Sequence, residues 1–154
     1  MGFDAPTLKG RALRLLSARE HSRAELERKL ARFEQTPGEL AQALDELQGK
    51  GFICEQRVVE SVLHRRAGRL GAARLRQELQ DKGLDRSLIE QALGGLQDSE
   101  LARAGEVWRR KFAQAPQNPA ERARQMRFLL TRGFSAEVVR RVLAAAGAPD
   151  PDDE

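Results

Sequence analysis

The chain is predicted to be all-α, built as three tandem three-helix repeats, about nine helices in all, forming an elongated curved body. Two observations carry this. Ala, Leu, Arg, Glu and Gln dominate a chain of 154 residues that has only 6 Phe, 1 Trp and no Tyr, and alternating runs of Val, Ile and Thr are missing. Sliding the sequence against itself by 49 or 50 residues aligns three segments without gaps. They begin at Ser22, Gly71 and Glu121, and their second halves begin at Thr36, Asp85 and Ser135.

In chain order, residues 1–10 read as an N-terminal extension, 11–50 as repeat 1, 51–97 as repeat 2, 98–146 as repeat 3, and 147–154 as a disordered acidic tail broken by Pro149 and Pro151. Each repeat opens with an amphipathic segment, at residues 11–20, 54–66 and 99–112. Their apolar residues recur at helical spacing: Leu13 and Leu16, then Val58, Val59, Val62 and Leu63, then Leu101, Ala104, Trp108 and Phe112. The second helix of repeat 1 starts at a capping box, Ser22-Arg23-Ala24-Glu25, and Asp98 or Ser99 is expected to cap the seventh helix. Leu30, Leu79 and Leu129 anchor the second helices; Leu40, Ile89 and Val139 start the stripes of the third. Thr36, Asp85 and Ser135 are expected N-caps of those third helices. Gly83-Leu84 and Gly133-Phe134 should close the preceding helices, glycine taking the left-handed conformation and the apolar residue folding back. Repeat 1 has Glu34-Gln35 there, so its helix should end less sharply. The longest loop, residues 115–120, carries two prolines, while Gly68, Gly71, Gly94 and Gly95 read as flexible joints.

Composition excludes several functions. With His21 and His64 alone there is no cluster at zinc-ligand spacing, and one cysteine cannot form an internal disulfide, which suits a reducing cytoplasm. No basic leader with an apolar core and no membrane-spanning stretch is expected. A nucleophile with its base, a carboxylate pair and a phosphate-cradling loop are all missing, so no enzyme and no cofactor are expected. His21 reads as a turn or surface residue, His64 as a helix-end cation, Cys54 as an inert small side chain, and Trp108 with Phe112 as core.

What remains is charge. The net +4 comes from 27 basic and 23 acidic residues; 22 of the basic ones are Arg, which suits carboxylate and phosphate recognition or reflects the codon bias of a GC-rich genome. Arg65, Arg66, Arg69, Arg74 and Arg76 form the densest run, with no acidic residue among them. Arg109, Arg110 and Lys111, followed by Arg122, Arg124, Arg127 and Arg132, form a second. Either can meet phosphates or an acidic protein face.

These residues resemble the RecX family from about residue 11 to 144. Residues 12–30, with Arg19-Glu20-His21-Ser22 and Glu25-Leu26 at their centre, are similar to its opening block. Arg74-Leu75-Arg76-Gln77-Glu78-Leu79 with Lys82-Gly83-Leu84 is similar to the middle block, and residues 128–134 to the last. The chain departs from the family pattern at Cys54-Glu55-Gln56 before the central Arg57, at Val58-Val59 after it, and at Arg69-Leu70-Gly71-Ala72. The resemblance implies a protein that lies in the helical groove of the RecA filament on DNA and lowers recombinase, ATPase and LexA-coprotease activities without a catalytic residue. The expected partner is the RecA filament, with single- or double-stranded DNA bound weakly, no membrane, and a monomeric state. Arg57, Arg65, Arg66, Arg69, Arg74, Arg76, Arg109, Arg110, Arg122, Arg124 and Arg127 are the expected contacts. Two other readings are an autonomous DNA-binding protein, for which only Arg140 and Arg141 stand out on the third helices, and a helical scaffold for another partner.

Overall fold

A computed structural model describes residues 5–147. Most of the expected tail at 147–154, and the first four residues of the expected extension, lie outside the described residues. Among those described there are nine α-helices of 8–13 residues, two short 3₁₀ turns and no strand. Unit 1 comprises α1 (Leu8–Ala18), α2 (Arg23–Leu30) and α3 (Glu39–Gly49). Unit 2 comprises α4 (Glu55–Arg66), α5 (Ala72–Asp81) and α6 (Arg86–Gly94), and unit 3 α7 (Glu100–Lys111), α8 (Pro119–Thr131) and α9 (Ala136–Ala145).

Each triad closes on its own core. Leu26, Leu30, Leu40, Leu44 and Leu47 pack together in unit 1, Leu75, Leu79, Ile89 and Leu93 with Val58, Val59 and Val62 in unit 2, and Trp108, Leu129, Phe134, Val139 and Leu143 in unit 3. Three small cores in a row leave much surface wet.

The capping chemistry follows the repeat where the backbone allows it. Ser22 makes the full capping box with Glu25, and Asp85 and Ser135 accept from the Leu88 and Val138 amides. Gly83 (φ 71°) and Gly133 (φ 94°) terminate α5 and α8 in the left-handed conformation. In both, the glycine amide donates back to the carbonyl of Gln80 or Leu130, and the following apolar residue donates to that of Leu79 or Leu129, so the last carbonyls are satisfied. Unit 1 lacks that glycine, and α2 runs into a 3₁₀ turn at Ala31–Phe33.

Four local expectations are corrected. Thr36 does not cap α3: Pro37 and Gly38 (φ 89°, ψ −11°) impose a type II turn, closed by the Glu39 amide donating to the Thr36 carbonyl at 3.1 Å. The Glu34 carboxylate accepts from the Leu40 amide at 2.8 Å instead. Neither Asp98 nor Ser99 caps α7, because a 3₁₀ turn at Gln97–Ser99 holds Ser99 in a helical conformation, where its Oγ donates to the Leu96 carbonyl. In α1 the helix begins earlier, at a Thr7 cap, so Leu8 and Ala12 are buried while Leu13 and Leu16 pack only at the edge. The glycine joints are not loose either: Gly94 and Gly95 continue α6 in helical geometry, and Gly71 is wedged between units.

Unit 3 breaks the repeat at one buried position. Leu26 and Leu75 correspond to Gln125, which is 4 % exposed. The reason is Trp108, whose buried indole N–H needs an acceptor and donates to Gln125 Oε1 at 2.8 Å. Gln125 then donates its own amide to the Gln114 carbonyl.

Candidate partner-binding surface

The surface is set by how the units join. At the start of α5 the amides of Gly71 and Ala73 donate to the carbonyls of Arg132 and Gly133 at the end of α8, at 2.8 and 3.3 Å, and Ala72 donates to Glu100 Oε1 at 3.1 Å. Unpaired donors of one helix thus meet unpaired acceptors of another. Approach this close needs two glycines. A Cβ on Gly71 would sit on the Gly133 carbonyl group and 2.5 Å from the Phe134 nitrogen, and one on Gly133 would lie 2.5 Å from the Arg74 nitrogen. Arg103 locks the same joint: Nη1 donates to the Ala67 and Leu70 carbonyls at 2.7 and 2.6 Å, and Nε to Ser99 Oγ at 3.0 Å. Burial pushes its guanidinium below the usual value, with the charge of Glu100 opposing.

This joint brings the two arginine runs together. A groove of about 440 Å³ between units 2 and 3 is lined by Arg66, Leu70, Arg74, Arg124, Arg127, Phe128, Thr131 and Arg132, with no carboxylate in its lining. Arg74 Nη1 donates to the Thr131 carbonyl at 3.3 Å, and Arg132 lies 4.9 Å from the Phe128 ring centre. Arg124 and Arg127 are exposed on α8.

Other members of the expected set are placed elsewhere. Arg57 pairs with Glu20 at 2.9 Å and caps the Gly51 carbonyl, Arg76 pairs with Glu90 at 2.7 Å, and Arg109 pairs with Glu106. Arg66 shares its groove position with a bond to Glu78 at 2.6 Å. The runs therefore carry less free charge than the spacing suggests, because carboxylates on the following helix, or one turn away on the same helix, fold onto them. Arg65 lines the neighbouring groove between units 1 and 2, of about 550 Å³, with Arg28, Lys29, Arg66 and Lys82. Arg69 and Arg110 are exposed outside both grooves, and Arg122 is half-buried and engaged near the start of α8. Arg28, Lys29, Lys82 and Arg103 were not legible as a group, since they lie in short mixed-charge stretches; no local signal marks them.

The joint between units 1 and 2 is a buried polar node. Ser22 Oγ donates to the Lys82 carbonyl at 2.5 Å, and Arg28 Nη2 to the Asp81 carbonyl at 2.6 Å. Glu25 accepts from Arg19 at 2.7 Å, from the Ser22 amide at 3.1 Å and from Lys82 at 3.2 Å. His21 is not a surface residue: it is 2 % exposed. Lys29 can only donate, so His21 Nε2 accepts from it at 3.0 Å, and the proton sits on Nδ1, which donates to the Arg19 carbonyl at 3.1 Å. Burial, aided by the charges of Arg19 and Lys29 and opposed by the Arg19 carbonyl and Glu25, pushes its pKa below 6.5. For Glu25 burial opposes ionisation, but the bonds from Arg19, Ser22 and Lys82 outweigh it and hold the carboxyl down to about 2.

Both shifts have the same sign in linkage. The unfolded chain binds protons that the folded node refuses, so each contribution is present at neutral pH and lost on acidification. Stability is expected to fall in two stages, first as pH drops below 6.5 through the lower folded value of His21, then between 4.5 and about 2 as Glu25 protonates. Denaturant melts across this range check it. His21→Gln should abolish the first stage and leave the second; an unchanged first stage would place that titration elsewhere.

Taken with its fold, the surface defines a class: a three-unit helical-repeat protein whose inter-unit grooves are lined by arginines. Models of the first, second and third three-helix domains of RecX match residues 9–47, 55–93 and 98–143. The chain belongs to the RecX family of regulatory proteins. It is 56 % identical over 140 residues to the regulatory protein RecX of Leptothrix cholodnii, covering 91 % of this chain and 89 % of that one. The Ralstonia nicotianae protein of the same name is 49 % identical over 142 residues, covering 92 % and 89 %. The crystal structure of RecX from Lactobacillus salivarius superposes with a TM-score of 0.74 at 20 % identity, covering 91 % of this chain and 94 % of that one. Another RecX crystal structure gives 0.73 at 22 %, covering 88 % and 70 %. Among the described residues no helix is long and apolar enough to cross a membrane.

Proposed function

We propose that this protein is a cytoplasmic, monomeric regulator of the RecA recombinase that lies in the groove of the RecA–DNA filament and restrains its growth or turnover. Family membership supports the partner. The observation that carries the mode of action is the convergence of Arg66, Arg74, Arg124, Arg127 and Arg132 in one carboxylate-free groove, on a row of units suited to following an extended polymer. Of the eleven arginines expected to bind, Arg65, Arg66, Arg74, Arg124 and Arg127 are the ones we assign to the filament. Arg57, Arg76 and Arg109, paired within the chain and outside the lining of both inter-unit grooves, contribute mainly to its own packing.

Inhibition requires no chemistry from the chain. A ligand that binds one filament state better than another shifts the population by its differential affinity, and occupancy of the groove by a bound regulator disfavours growth. The test is DNA-dependent ATP hydrolysis by the cognate RecA with increasing regulator. Substoichiometric protein is expected to lower the rate and to reduce LexA cleavage in parallel. Unchanged hydrolysis at concentrations up to and beyond that of RecA would reject the proposal.

A further inference from the structure

Unit 1 carries a cationic cradle that neither arginine run includes. Arg11 and Arg14 from α1, Arg28 and Lys29 from α2, and Arg32 from the 3₁₀ turn surround a floor containing Phe33, enclosing about 570 Å³ with no carboxylate in the lining. Phe33 is not open to a base: the Arg11 guanidinium stacks 3.7 Å from its centre and Arg32 lies 4.6 Å away. Stacking engages the flat face of a guanidinium and leaves its N–H edge to acceptors, so the ring preorganises two cations instead of serving as a stacking platform.

The cradle is continuous with the grooves already described. It shares Arg28 and Lys29 with the groove between units 1 and 2, which in turn shares Arg66 with the groove between units 2 and 3. The three carboxylates along this path are all engaged within the chain: Glu25 with Arg19 and Lys82, Glu78 with Arg66, and Asp81 with the Gln77 amide at 2.8 Å. Net positive charge therefore runs through all three units.

We propose that the unit 1 cradle is a phosphodiester-binding subsite for nucleic acid, forming one backbone track with the two inter-unit grooves. A protein surface fits it less well. Protein interfaces centre on apolar anchors and shed charge from their core, whereas the two large apolar side chains most open to solvent among the described residues, Phe52 and Leu130, lie outside the lining of all three grooves. A track of net positive charge whose two end grooves have no carboxylate in their lining suits a repeating phosphate and predicts little sequence preference. This goes beyond the RecA reading, because the subsite needs no protein partner.

The test titrates the full-length protein, without RecA, with labelled single-stranded and duplex oligonucleotides of unrelated sequences across a range of salt. Binding is expected to be steeply salt-dependent and indifferent to sequence. Arg11→Glu, Arg14→Glu and Arg32→Glu together should weaken it at least tenfold and flatten the slope of log affinity against log salt by about 1 for each phosphate no longer neutralised. Arg86→Glu, Arg140→Glu and Arg141→Glu, an equal charge change outside the track, should cost much less. If the cradle triple loses its fold by circular dichroism, Arg14→Gln with Arg32→Gln provides the milder variant, expected to weaken binding several-fold. Equal losses from cradle and control sets, loss in the control alone, or no binding by the unaltered protein would each overturn the proposal. RecA hydrolysis measured in parallel separates the two readings: inhibition without oligonucleotide binding removes this subsite and leaves RecA regulation standing, and if the cradle set then weakens inhibition the partner is an acidic protein face. Oligonucleotide binding without inhibition does the reverse.

Discussion

Replacing Gly71 with alanine is expected to destabilise the protein by about 2–5 kcal/mol and to uncouple unit 3 from unit 2. The added carbon falls on backbone, at the Gly133 carbonyl and the Phe134 amide, so no side-chain rotation relieves it. Either α5 or the end of α8 must retreat, and retreat breaks the Gly71–Arg132 and Ala73–Gly133 hydrogen bonds that join the units. Urea unfolding checks this, with Gly68→Ala as the control, since nothing lies within 4 Å of a Cβ there. The control should be neutral or slightly stabilising, because alanine has less backbone freedom to lose. In Gly71→Ala the transition should move to lower denaturant and broaden as units 2 and 3 melt separately, as expected of a one-dimensional array with a weakened interface. A sharp transition at the original midpoint would show that the joint tolerates a side chain and that the close approach is unimportant.

The second large effect concerns the groove itself. Reversing Arg124 and Arg127 to Glu should weaken inhibition of RecA-dependent ATP hydrolysis at least tenfold, about 1.4 kcal/mol of binding, with the fold intact. Both side chains are exposed on α8 and line the carboxylate-free groove. Reversal also places two negative charges beside Arg66, Arg74 and Arg132, where they can pair with those arginines and cancel most of the groove's positive field. The matched comparison is Arg109→Glu with Arg110→Glu, equal in charge and close in sequence. Arg109 is already paired with Glu106 and neither residue lines the groove, so potency should change little. Equal loss from both pairs would mean that net charge, and not the groove, governs binding. The deficit in the groove variant should also shrink as salt is raised, since screening removes the interaction being reversed.

The site was only half legible in the chain. Both arginine runs could be read, because Arg65 to Arg76 contains no acid, yet the partners that quench Arg66 and Arg76 are Glu78 and Glu90, each brought in by the packing of the following helix. The unit 1 cradle was hidden for the converse reason. Glu20, Glu25 and Glu27 sit among its arginines in sequence but do not line it: Glu20 turns to Arg57, Glu25 to the node with Lys82, and Glu27 to Arg23. His21 has the sequence setting of a turn residue because it follows a helix end; burial came from the joint packed around it.

What the chain settles alone is everything that depends on near neighbours. Helix type, the stop at Gly83 and Gly133, the caps at Ser22, Asp85 and Ser135, and the triplication of a small apolar core all follow from side chains acting within about one turn of each other. Where one unit meets the next was decided only in three dimensions. Gly71 and Gly133 are separated by a whole unit of chain, and nothing local distinguishes a glycine that permits two backbones to touch from one that merely bends a loop. The same holds for charge: neighbours in sequence leave opposite sides of a helix, so which cations remain free for a partner is fixed by the packing of helices and not by their order.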